Sequence, residues 1–344
     1  MDLREILALA VEMRASDVHV KSGLPPAFRV NGRVDFRGKP LSSEQVSRFI
    51  SQVVTSEVKK AELTKKGEVD VSYSSGGSRF RVNVFREQGK YCMVFRRLPE
   101  EVPELGQLGL PQELRGLALI PRGMVVVTGI TGSGKSTTLA AMLEVRNRER
   151  EEVVITIENP VEYVFKPKKC LFYQREVGRD TQSFFSGLVA ALREDPDVIL
   201  VGEIRDSEQM NTALSAVETG HAVFTTVHAV DAVSTFSRIL SFYPAADRER
   251  VAYSLSVSLK AVVSQRLVPS VEGSRIAVVE LLEVDGEVSK AVSSLDFDRL
   301  KNILRERGKD FDSVAFRLYE EGKIDRETLL RVSSNPKEVE RWLM

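Results

Sequence analysis

Apolar residues recur at helical spacing near the start of the chain, at Leu3, Ile6, Leu7, Ala10 and Met13, and predict one amphipathic helix. The period then changes to two. Val18 and Val20, Phe28 and Val30, and Val34 and Phe36 alternate with polar neighbours, and Asn31-Gly32 between the last two runs is a strong hairpin signal. A second helix is expected over about Glu44 to Val54. After it come strands carrying Val69, Val71 and Tyr73, then Phe80, Val82 and Val84, then Tyr91, Met93 and Phe95. Residues 1–99 thus read as a small α+β domain with an antiparallel sheet.

Three prolines, two glycines and several acids between Pro99 and Pro111 mark a linker, placed at residues 100–115. From residue 116 to 344 the pattern is α/β, with strands expected at Met124–Thr128, Val153–Ile157, Val198–Val201 and Val223–Val227. Helices fall between them, including Gln182–Arg193 and Ser207–Thr219, the latter stopped by Gly220. From about residue 287 the pattern is wholly helical, over Asp298–Arg307, Asp312–Glu321, Asp325–Arg331 and Pro336–Leu343.

Composition narrows the function classes. Lys plus Arg and Asp plus Glu both number 49, so the zero formal charge argues against a dedicated nucleic-acid binder. Two cysteines, Cys92 and Cys170, show no pairing pattern and suit a reducing cytosol. The acidic start, Met1-Asp2-Leu3-Arg4-Glu5, is not that of a signal peptide, and no apolar run approaches the ~20 residues of a membrane span. A cytoplasmic protein is expected, one that inserts in no membrane and reaches a membrane only through a partner.

The chemistry centres on Met124 to Thr137. A β-branched apolar run feeds a glycine-rich turn and then a helix, and Gly129 to Ser136 fits G-x-x-x-x-G-K-[ST]. Gly129, Gly132 and Gly134 let backbone N–H groups turn inward beside Thr131 and Ser133, and the helix that follows adds the positive end of its dipole. Lys135 can reach the β- and γ-phosphates of ATP, the Ser136 hydroxyl is placed to ligate Mg²⁺, and Thr137 completes the loop. Glu158 and Glu162 lie just beyond a strand end, where an open α/β sheet has its ligand crevice, and one could be a general base. Asp197 to Glu203 is a hydrophobic strand ending in an acid, the layout that supports Mg²⁺. His221 and His228 bracket one strand. Seven extended residues hold them roughly 20 Å apart, too far for one metal ion, so each is either a hydrogen-bonding histidine or a sensor of nucleotide state. Arg79 and Arg81 share a strand face with Asn83, and Arg96 lies opposite Met93 and Phe95; by pattern alone this is a solvated face.

Together these segments resemble the motor ATPases of the type II/type IV secretion superfamily, and among them the PilT-type pilus-retraction branch. The likeness runs from Ala15-Ser16-Asp17-Val18-His19-Val20, Gly23-Leu24-Pro25-Pro26 and Phe80-Arg81-Val82-Asn83 through the phosphate loop and Gln174-Arg175-Glu176-Val177. It continues through Ala191 to Asp197, Gly202-Glu203-Ile204-Arg205-Asp206 and Glu218-Thr219-Gly220-His221, and ends near Ser264-Gln265-Arg266-Leu267. The resemblance implies a PAS-like N-terminal domain, a RecA-like P-loop ATPase domain with a helical C-terminal region, a homohexameric ring and an inner-membrane platform protein as partner. It assigns Glu162 as general base, Glu203 as the Walker B acid, His221 and His228 as the His box, and Arg81 and Arg96 as donors to the γ-phosphate, against the solvated-face reading. Two departures stand out. Asn159 replaces the Asp-box aspartate, and Glu287-Val288-Ser289-Lys290-Ala291-Val292 stands where the retraction branch has Ala-Ile-Arg-Asn-Leu-Ile. The paired cysteine motifs of the extension and export relatives are missing. Alternatives are an extension or export motor, a regulatory module that binds nucleotide without turnover, and a DNA translocase, which the zero net charge disfavours.

Overall fold

The computed structural model describes residues 1–344, which divide into two compact units. The first holds Met1–Glu101 with two later segments, Glu158–Val164 and Arg175–Ser183; the second holds the remainder.

The first unit begins with α1 (Leu3–Glu12), where Asp2 and Glu5 form a reciprocal cap and Leu3, Ile6, Leu7 and Ala10 are buried. Strands β1 (Asp17–Lys21), β2 (Ala27–Val30) and β3 (Arg33–Phe36) follow, then α2 (Ser43–Val53), capped by Ser42 and Gln45. Helix α3 (Glu57–Lys66) buries only Leu63 and ends on Gly67 in the left-handed conformation. Strands β4 (Glu68–Ser75), β5 (Ser78–Glu87) and β6 (Lys90–Arg97) complete a six-stranded antiparallel sheet of order β3-β2-β1-β6-β5-β4. One sheet face, with Val18, Val20, Phe28, Phe80, Val82, Val84, Met93 and Phe95, packs on α1 and α2 as one core. Period-two alternation therefore puts Asp17, Arg81 and Arg96 together on the other face, Arg96 directly opposite Asp17 on one side and Arg81 on the other.

The second unit is α/β. After α4 (Glu113–Ala118) come β7 (Gly123–Thr128), α5 (Lys135–Glu149), β8 (Val153–Glu158), β9 (Leu171–Glu176), α6 (Phe184–Ala191), β10 (Val198–Val201), α7 (Ser207–Glu218) and β11 (Ala222–Val227). Then come α8 (Ala232–Leu240), α9 (Arg248–Ser258), β12 (Leu259–Pro269) and β13 (Arg275–Glu283). Strand order is β13-β12-β7-β11-β10-β8-β9; the five middle strands are parallel and β13 is antiparallel to β12. Every residue of β7, β10 and β11 is buried, as a parallel sheet covered on both faces requires. This is the RecA-like arrangement, with a helical C-terminal region of α10 (Gly286–Ser293), α11 (Phe297–Glu306), α12 (Phe311–Glu320), α13 (Arg326–Val332) and α14 (Pro336–Trp342).

The C-terminal helices are held on the β12–β13 hairpin. Val268 and Val278 form a cluster with Phe311, Ala315, Ile324, Leu329, Val332 and Val339. Glu280 reinforces it, accepting from the N–H of Ala232 at 2.6 Å and of Phe311 at 3.3 Å, so one buried carboxyl joins the first turns of α8 and α12. Burial pushes that carboxyl up to about 7, against the hydrogen bond from Ala232.

Candidate nucleotide-binding site

The loop between β7 and α5 departs from ordinary backbone at three glycines, Gly129, Gly132 and Gly134, with φ of 142°, 79° and 91°. At Gly129 a Cβ would lie 2.5 Å from both the Gln265 carbonyl and the Ser133 hydroxyl, so no side chain fits. Lys135 opens α5, and its Nζ donates to the carbonyls of Gly129 and Ile130, both at 2.9 Å. Ser136 and Thr131 are exposed, and Ser133 is buried with a hydroxyl that has no partner.

Strand register brings Glu203 and His228 to this same rim. β10 and β11 run parallel to β7, so their C-terminal ends align with the loop. Thr226 Oγ1 donates to the Gly202 carbonyl at 2.7 Å and the Ile204 N–H to the Thr226 carbonyl at 3.0 Å, fixing the backbone on both sides of Glu203. The Glu203 carboxylate is bonded by Arg205, and His228 Nε2 stands 3.7 Å from its Oε2, a buried atom that accepts no hydrogen bond. Burial, then the Lys135 charge, hold His228 below its ordinary pKa, with Glu203 opposing; the imidazole is neutral at pH 7.

His221 does not join this group. It lies at the start of β11, beyond the opposite end of the strand, and its Nδ1 bonds the Ala216 carbonyl at 2.8 Å and Thr219 Oγ1 at 3.1 Å. The Ala216 carbonyl also accepts from the His221 N–H at 3.1 Å and from Thr219 Oγ1 at 3.0 Å, so within this chain His221 is part of the turn that ends α7.

In the first unit, Asp17 is buried and accepts from Arg96 Nε at 2.9 Å and from Ser16 Oγ at 2.9 Å. Burial alone would raise its pKa, but these bonds outweigh it and keep the carboxyl below the usual range. Arg96 is 70% exposed beyond that anchor. Arg81 Nε lies 3.5 Å from Asp70 Oδ1, with both side chains partly exposed. Glu162 is half-buried in the segment Glu158–Val164 of the same unit.

A family model described as type II/IV secretion system protein matches residues 1–327. The chain belongs to that family. Among curated proteins, this secretion-family chain is 44% identical over 284 residues to the type IV pilus retractation ATPase PilT of Pseudomonas aeruginosa, covering 82% of each. It is 39% identical to the type IV pilus ATPase PilU of that organism, over 96% of this chain and 88% of the other. The solved structure of the pilus retraction motor PilT with bound ADP matches with a TM-score of 0.92 at 40% identity, over 99% of both chains. The Legionella pneumophila ATPase DotB matches with a TM-score of 0.84 at 28% identity, over 94% of this chain and 93% of that one.

Four supporting residues of this type II/IV secretion-family chain are not marked as site residues by its sequence. Thr128 Oγ1 donates to the Val227 carbonyl at 2.7 Å and accepts from the Ala229 N–H at 3.0 Å, tying the end of β7 to the segment that carries His228. Gln265 Nε2 donates to Thr138 Oγ1 at 2.9 Å, joining β12 to α5 beside the loop. Arg79 and Glu176 bond the main chain around Glu162 in the first unit. Thr128 closes the apolar run before the loop, Glu176 and Gln265 fall within segments of the family likeness, and Arg79 shares a strand face with Arg81, but spacing assigns none of them its contact. The orphaned Ser133 hydroxyl and the unbonded Glu203 oxygen, next to a loop of left-handed glycines, fit a phosphate with its divalent cation.

Proposed function

We propose that this chain is the subunit of a homohexameric, ATP-hydrolysing motor that powers type IV pilus retraction from the cytoplasmic side, acting on an inner-membrane platform protein. The observation that carries the reading is the gathering of a glycine-lined phosphate loop, Lys135, Glu203 and His228 on one rim of a parallel sheet. Residues Gly129 and Thr131 to Thr137 hold the phosphates, with Lys135 on the β- and γ-phosphates. Ser136 and Glu203 hold Mg²⁺, which when bound neutralises charge that builds on the phosphates. Glu162 takes the proton of the attacking water, and Arg81 and Arg96 donate to the γ-phosphate. His228, neutral and beside both Glu203 and Lys135, offers a hydrogen bond without adding charge. Similarity to the P. aeruginosa pilus retractation ATPase PilT supports the direction of work.

Phosphate release tests the enzyme, and a deletion strain tests the role. Glu162→Gln is expected to bind ATP with near wild-type affinity and to lose turnover, because only the base is removed. A deletion strain of the source organism is expected to keep surface pili and lose twitching. Export is the second reading, favoured by 36% identity to the type II secretion system protein E of Klebsiella pneumoniae over 77% of this chain. Cells that retain a secreted substrate would select it.

A further inference from the structure

Glu162 sits in a segment that belongs to the first unit, although the sequence places it between two strands of the second unit's sheet. Three bonds hold the main chain there. Arg79 Nη2 donates to the Val161 carbonyl at 2.8 Å and Nη1 to the Glu162 carbonyl at 3.4 Å. The Val161 N–H donates to Glu176 Oε2 at 3.2 Å, and the other oxygen of that buried carboxylate accepts from Ser72 Oγ at 2.9 Å. Arg79 lies on β5 and Ser72 on the adjacent β4, so the carbonyls are gripped from β5 directly and the Val161 N–H through Glu176, which Ser72 steadies.

The chemistry of the grip is particular to arginine. A planar fork reaches two consecutive carbonyls at once, whereas an ammonium is a single point charge. Arg79 also differs from its neighbours. Arg81 and Arg96 meet their carboxylates through Nε, while both terminal nitrogens of Arg79 are engaged on backbone. It is half-buried, and Glu176 and Glu158 are the acids that offset that burial.

We propose that Arg79 is a positioning residue, which sets the place of the Glu162 carboxylate by clamping its main chain, with Glu176 and Ser72 closing the clamp from the other side. The inference rests on the reading of Glu162 as general base. It makes the base part of the same body as Arg81 and Arg96, while the phosphate loop and Glu203 belong to the other. Groups that must meet the γ-phosphate together are then carried together. A shift of ~1 Å in such a group costs on the order of 10²-fold in rate.

The test uses the full-length assembled protein. Steady-state ATP turnover is measured for wild type, Arg79→Gln, Arg79→Lys and Ser72→Ala, and ATP and ADP affinities are measured with and without Arg79→Gln in a Glu162→Gln background. Arg79→Gln is expected to lower kcat by roughly 10- to 100-fold with KM nearly unchanged. Arg79→Lys recovers part of the loss, and Ser72→Ala shows a smaller fall of the same kind. Neither nucleotide affinity moves in the Glu162→Gln background. Weakened ATP binding with unchanged ADP binding overturns the proposal and makes Arg79 a phosphate contact; wild-type kcat in Arg79→Gln overturns it outright. Should Arg79→Gln fail to fold, a folded Ser72→Ala at wild-type kcat overturns it instead. Full turnover by Glu162→Gln alone sinks the underlying reading, whatever Arg79 does.

Discussion

The two sheets of this chain present functional groups in opposite ways. In the second unit helices cover both faces, the central strands β7, β10 and β11 are buried along their whole length, and the phosphate loop, Glu203 and His228 lie at the rim where those strands end. In the first unit one face is packed on helices, and the other carries Asp17, Arg81 and Arg96 side by side on neighbouring strands, where each side chain has cross-strand neighbours. A covered parallel sheet offers ends; a half-covered antiparallel sheet offers a surface. The first holds residues by loop conformation and hydrogen-bonded backbone, the second by cross-strand pairs.

That contrast can be broken from either side. Lys135→Ala removes the charge at the rim and is expected to abolish phosphate release, with ATP affinity reduced as read by titration with a labelled nucleotide. Residual turnover near wild type would show that the rim does not carry the chemistry. Arg96→Ala tests the open face, with turnover expected to fall by ~10²-fold while circular dichroism shows the fold retained, at a melting temperature lowered by a few degrees because buried Asp17 loses its partner. Turnover close to wild type would return Arg96 to the role of a solvated surface residue. Glu280→Gln sharpens the comparison by probing how the second unit secures its own appendage. The folded-state pKa of Glu280, about 7, lies above its unfolded value. Its contribution to stability is therefore fully present below the unfolded pKa and is lost as pH rises through about 7. Wild type should lose a few degrees of melting temperature between pH 5.5 and 8.5 relative to the glutamine variant; identical slopes would refute the assignment.

Long apolar runs and the glycine loop are legible because local pattern and local structure agree. The strand Val198–Val201 lies where its apolar run predicts it to the residue, and the bounds of β7 differ by one. The exposed helix α3 gives no such signal, since Glu57–Lys66 has one buried residue and no apolar stripe. The β12–β13 hairpin is silent as an element: largely buried on both faces, it has no alternation to read. Membership of Glu162 in the first unit is beyond reach for another reason. It depends on bonds from Arg79 to carbonyls 82 and 83 residues away and from Ser72 to Glu176, 104 residues away. His221 and His228 lie beyond opposite ends of β11, the separation that the extended run between them requires.

The anchor of Arg96 on Asp17 has a consequence for what evolution can place there. A guanidinium has five N–H bonds, and the one at Nε is committed to Asp17 while four remain at the tip. The side chain is thus already restrained at its root, and much of the rotational freedom an unanchored arm would lose on gripping a partner is gone beforehand. Lysine has one nitrogen. It must choose between the root contact and the tip, so Arg96→Lys would leave either a stiff arm without a hand or a free hand without a shoulder.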